Sequence, residues 1–142
     1  MGVTVSSTLT AFASAALPAA GAFTTTGVEL DTLGYQRVDF FCKYTRGAAG
    51  GSVAIAFEFS LDGTNFFQES YVVNQVGFVA GTDYRANVQQ YEVLYTSNSA
   101  SAETFMLALS DIFAVKIRLI AKEVGVTGTP GTLAVTCRFA NV

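Results

Sequence analysis

Histidine is absent from this sequence, which removes Ser-His-Asp and Cys-His nucleophilic sites and the usual zinc, copper and non-haem iron ligand sets. Cys42 and Cys137 fall at inward positions of apolar stretches, where a thiol behaves as a small hydrophobe and its thiolate is disfavoured by desolvation. A disulfide across two sheets is the alternative for this pair. Asp62, Asn65 and Glu69 offer oxygens to a calcium ion, but the acidic calcium-loop spacing is missing, and a tight turn already accounts for Asp62 and Gly63. Gly47-Ala48-Ala49-Gly50-Gly51 has the glycines of a phosphate loop without the Lys-Ser/Thr that follows them, and it opens a strand rather than a helix. Tyr71, Tyr84, Tyr91 and Tyr95 could form a sugar platform, although the absence of Trp counts against one. The 11 acidic residues are scattered along the chain and single out no glycosidase-type pair. The expectation is a non-enzymatic protein with no catalytic residue, no cofactor and no metal ligand.

Composition points to assembly. Of the 142 residues 51% are hydrophobic and only 13% charged, against about 25% charged in an average domain. So few charges leave large apolar patches, or patches that neighbouring chains cover as in obligate oligomers. The net charge is −3, and the eight basic residues are spread from Arg37 to Arg138. No basic stripe exists to neutralise a run of phosphates, so no direct nucleic-acid partner is expected. Apolar runs such as Phe105–Leu109 are far shorter than the roughly 20 residues of a spanning helix, so no membrane partner is expected either. No Lys or Arg precedes Arg37, which argues against a secretory leader, and two cysteines make no disulfide framework, so a reducing compartment is expected.

The elements that hold these residues are strands. From Phe23 onward the pattern has period two. In Arg37–Thr45, Val38, Phe40, Cys42 and Tyr44 share one face, while Phe41 is the apolar exception on the other. Ser52–Ser60 places Val53, Ile55, Phe57 and Phe59 inward, and the loop from Arg46 to Gly51 is read as joining these two strands in a hairpin. A third strand, Phe66–Val73, follows the turn Asp62-Gly63-Thr64-Asn65, the strongest hairpin signal in the chain. Residues 74–88 read as a long loop, and Gln90–Thr96 and Thr104–Ser110 as strands. The last pair is read as a hairpin, with Phe113, Val115, Ile117, Leu119 and Ala121 inward on one strand and Leu133, Val135, Cys137 and Phe139 inward on its return. The fold class is all-β: an antiparallel sandwich or barrel, jelly-roll-like, of seven or eight strands. Residues 1–21 read as an extended N-terminal arm outside the β-sandwich domain of residues 22–142. Its apolar positions Val3, Val5, Leu9, Phe12 and Leu17, together with Phe41, are the expected interface residues.

Three segments resemble a pattern of tailed-bacteriophage virion proteins. Glu58-Phe59-Ser60-Leu61-Asp62-Gly63-Thr64-Asn65-Phe66 is similar to their E-x-S-x-D-G-T-x-W/F hairpin, with Phe66 where Trp is frequent. The others are Phe113–Leu119 and Thr127–Leu133. Across residues 36–140 the chain looks most like small head decoration, or cement, proteins. The resemblance implies a homo-oligomer, commonly a trimer, that binds the major capsid protein on the outside of the shell, in a virion assembled in the host cytoplasm. A tail or fibre-associated component and a carbohydrate-binding sandwich are the alternatives.

Overall fold

The computed structural model describes residues 4–18, 23, 25–32, 34–48, 51–72, 88–125 and 128–141. Val3, Tyr84 and all of the expected 74–88 loop except Val88 lie outside these residues, as do the side chains of residues 25, 70–72 and 88–90. The described chain is all-β. Twelve strands run in the order β1 (Leu9–Ala16), β2 (Thr25–Thr26), β3 (Leu30–Asp31), β4 (Arg37–Thr45), β5 (Ser52–Ser60), β6 (Phe67–Gln68), β7 (Ser70–Val72), β8 (Val88–Gln90), β9 (Val93–Thr96), β10 (Glu103–Leu109), β11 (Lys116–Val124) and β12 (Thr132–Ala140). One antiparallel sheet has the order β1-β12-β4-β10. The other has β2-β11-β5-β6, with β3 also on β11 and β9 also on β5, and β7 and β8 form a separate ribbon.

The two sheets face each other through the side chains that the period-two pattern points inward. Val38, Phe40, Cys42 and Tyr44 of β4 and Leu133, Val135, Cys137 and Phe139 of β12 are buried against Val53 and Ile55 of β5 and Ile117, Leu119 and Ala121 of β11. Burying such side chains is worth about 1.5–3 kcal/mol each, which is what drives the two sheets together.

Two expected hairpins are not hairpins. β4 pairs with β10 and β12, whereas β5 pairs with β11, β6 and β9, so residues 46–51 cross from one sheet to the other. β11 and β12 likewise lie in opposite sheets. Period two fixes which side of a strand is apolar but not which strand lies beside it, and both connections are long enough to span sheets about 10 Å apart. The Asp62 turn is a true hairpin, with Glu58 opposite Gln68 and Phe59 opposite Phe67.

Both crossovers meet at one buried carboxylate. Glu123 shares the inward parity of Ile117, Leu119 and Ala121 and is fully buried. Its Oε2 accepts hydrogen bonds from Tyr44 Oη at 2.5 Å and the Gly47 amide at 2.8 Å, and its Oε1 accepts the Gly131 amide at 2.6 Å. One side chain therefore ties the β4–β5 and β11–β12 connections together. Position 131 must be glycine, since a Cβ there would overlap Glu123 Oε2 and the Thr45 carbonyl. Burial, and then the bond to Glu123 and its charge, push the Tyr44 hydroxyl well above the ordinary tyrosine range.

The N-terminal segment is extended, as expected, but it does not stand outside the domain. β1 runs antiparallel along β12, with register breaks between Thr10 and Phe12 and between Phe12 and Ala15. Ahead of it, Val5 bridges to Ala140, and Ser6 exchanges bonds with Phe139. Phe12 and Leu17 are buried in the chain's own core together with Ala11. The bulges let Ala11 and Phe12 both turn inward, which breaks the alternation that would have marked a strand. Ala11 also accepts a bond from the Val28 amide, and Gly27 donates to Leu119. A Cβ at Gly27 would overlap the Ala11 carbonyl, so glycine lets the N-terminal strand close the gap between the sheets.

Cys42 and Cys137 are free, buried thiols in the same sheet, which excludes a bridge between sheets. Burial pushes Cys42 up to about 12 and Cys137 up to about 11. Melting is expected to be the same with and without reductant, and a thiol reagent should label neither residue until the protein unfolds. Labelling of the native protein would contradict this placement.

Candidate functional site

At the end of the sandwich opposite Glu123, the β5–β6 hairpin faces the connection between β10 and β11 across an open apolar cleft of about 450 Å³. The hairpin is built by its own sequence. Asp62 Oδ1 accepts the amides of Thr64 at 2.8 Å and Asn65 at 2.7 Å, its Oδ2 accepts Asn65 Nδ2 at 2.7 Å, and Ser60 Oγ accepts the Gly63 amide at 2.9 Å. These bonds satisfy the Asp62 carboxylate within the turn, so the hairpin explains it without calcium. Arg118 fastens the hairpin to the sheet, with Nε on Glu58 Oε1 at 2.8 Å and the guanidinium 4.0 Å from the centre of the Phe66 ring. The tip and return strand of the hairpin hold Leu61 and Phe67 in solvent, 72% and 68% exposed.

The bonds from the Thr64 and Asn65 amides, ahead of that from Asn65 Nδ2, hold the Asp62 carboxyl well below the usual carboxylate range. A group with a depressed folded pKa stabilises the fold fully above its unfolded pKa and loses that contribution as pH falls toward the folded value. The stability difference between the protein and an Asp62→Ala variant is therefore expected to hold from pH 7 down to about pH 4 and to narrow below it. Denaturation midpoints between pH 7 and pH 2 test this, and a constant difference would contradict it.

Across the cleft, the connection between β10 and β11 corrects the sequence reading. Phe113 and Val115 were expected inward, yet both are exposed, Phe113 to 88%. Strand geometry begins only at Lys116. Before it, Asp111 takes a left-handed backbone (φ 56°) and the chain bends at Val115, so the alternation of β11 does not extend back to Phe113. The connection is nonetheless fixed. The Ile112 amide donates to Gln36 O at 3.1 Å and the Val115 amide to Ser60 O at 2.8 Å, while the buried Thr32 donates its hydroxyl to the carbonyls of Ala114 and Val115. Phe113 is thus held outward by a hydrogen-bonded loop. Among the described residues, Glu69 and Asp111 are the charged ones lining the cleft. The signal for the site in the sequence was the Ser-Asp pair ahead of Phe113, a turn composition inside an apparently regular run.

A second apolar surface lies on the outer face of the β1-β12-β4-β10 sheet. Phe41, on the solvent side as expected, sits directly opposite Met106 of β10, and both are exposed. Beside them is a shallow depression lined also by Lys43, Thr104, Ala134 and Thr136. Of the expected interface residues, Phe41, Val5 and Leu9 reach solvent, whereas Phe12 and Leu17 are spent on the chain's own core and are closed to a neighbour. No tyrosine platform is assembled from the described residues. Tyr95 stacks on Phe105 with ring centres 4.1 Å apart and donates its hydroxyl to Glu103, and Tyr91 is exposed.

No protein-family model matches the sequence, and no curated protein matches it. In fold the chain is similar to the crystal structure of the SPBc2 prophage-derived protein YomS, with a TM-score of 0.54 over 99% of this chain and 96% of that one. The two sequences are 11% identical, so the likeness concerns the fold.

Proposed function

We propose that this chain is a non-enzymatic structural protein of a tailed-phage virion, a decoration protein that binds the outer shell of the head as a homo-oligomer and stabilises it. The observation that carries the reading is the display of Leu61, Phe67 and Phe113 in solvent on two hydrogen-bonded supports. Large apolar side chains held outward on fixed backbones are the anchors of protein interfaces, because little ordering entropy remains to be lost on binding. The phage setting is supported by the E-x-S-x-D-G-T-x-F hairpin and by the likeness in fold to a prophage-derived protein. Gold-labelled antibody against the protein should decorate the heads of virions in electron micrographs. Label on the tail or fibres would move the protein to that part of the particle, and unlabelled virions would sink the proposal.

A further inference from the structure

We infer that copies of this chain join head to tail, Phe113 of one copy seating in the outer-face depression beside the Phe41–Met106 pair of the next. The inference rests on the homo-oligomer part of the proposed function and names the two surfaces that make it. The first argument is shape. Phe113 projects from a fastened loop, and the depression is lined by the small side chains Ala134, Thr136 and Thr104 beside the Phe41–Met106 pair. The second is charge. Among the described residues, Glu69 and Asp111 are the charged ones beside Phe113, and Lys43 is the charged one lining the depression. One row away on the same outer face, Arg138 stands opposite Asp39, whose carboxylate is already paired with Arg37 at 2.9 Å. Bringing the two surfaces together sets carboxylates against an ammonium. Setting either surface against its own copy would oppose like charges, which disfavours a two-fold contact.

The surfaces lie apart, one at an end of the sandwich and the other on the flank of a sheet. A contact between different patches is heterologous, and it closes into a ring when the rotation between copies permits. That is the geometry a trimer needs.

The test is sedimentation of the full chain and of exposed-residue variants. F113S and F41S, both at solvent-facing positions, should stay folded, each with a cooperative denaturation transition whose midpoint does not depend on protein concentration, and each alone should sediment as a monomer. Mixed in equal amounts they should form a dimer and nothing larger, because the pair retains one intact Phe113 surface and one intact Phe41 surface. K43E should weaken association by about tenfold or more, and combining it with D111K should restore most of the loss. A parent oligomer that survives F113S and F41S overturns this contact while leaving the oligomer reading in place. A monomeric parent removes both. A mixture of F113S and F41S that stays monomeric shows that the two surfaces do not meet. Absence of the protein from virions would not alter any of these outcomes, so failure of the decoration role and failure of the contact are distinguishable.

Discussion

Glu123→Ala is expected to cost about 3–5 kcal/mol of stability, because it orphans three donors at once where the two crossovers meet. The Gly131 and Gly47 amides and the Tyr44 hydroxyl all point at that carboxylate, and an unsatisfied buried donor costs about 1–3 kcal/mol even when water reaches part of the cavity. For a domain whose total stability is of the order of 5–15 kcal/mol, the melting temperature should fall by about 10 °C or more. Tyr44→Phe removes one donor and leaves both amides bonded, so it should cost only about 1–2 kcal/mol. In the Glu123→Ala background Tyr44→Phe should cost much less, since its hydroxyl then has no partner to lose, and a double-mutant cycle by urea denaturation reads this coupling directly. Independent, additive effects would mean that Glu123 does not hold the crossovers.

Phe12→Ala is expected to cost about 3–5 kcal/mol, the range for emptying a buried aromatic site in a packed core. Deletion of residues 1–17 should go further and abolish cooperative unfolding. It strips Ala11, Phe12 and Leu17 from the core and removes the strand that covers the edge of β12. Were the segment an arm docked on a neighbour, the same deletion would spare the monomer's stability and weaken only its association. A sigmoidal melt retained in the deleted protein, at a midpoint near the parent's, would contradict the placement of β1.

The inner faces were legible because alternation is local. Arg37–Thr45 and Ser52–Ser60 are strands at the expected bounds, and their inward residues lie in the core except Phe57 and Phe59, which are half-buried against it. Partnership was not legible, since β4 and β5 carry the same alternation whether they sit side by side or face to face. Glu123 illustrates the same limit: its inward parity was visible in the run from Ile117, but the donors that make a buried carboxylate tolerable come from loops distant in sequence. The N-terminal strand was hidden by its bulges, and the Phe113 display by the irregular backbone from Asp111 to Val115, where the alternation stops. Of the candidate site, the Asp62 hairpin and Phe41 could be read from sequence because each depends on a short local pattern. The cleft could not, because it forms only where segments from two sheets converge.

Molar mass in solution tests the assembly account most directly. Light scattering on the purified full-length chain, followed through dilution, should give a discrete mass several times the 15.0 kDa of one chain, three times for the trimer, at micromolar concentration where obligate interfaces remain closed. A well-behaved 15.0 kDa monomer at every concentration would contradict it, for Leu61, Phe67 and Phe113 would then stand in water with no second copy to cover them.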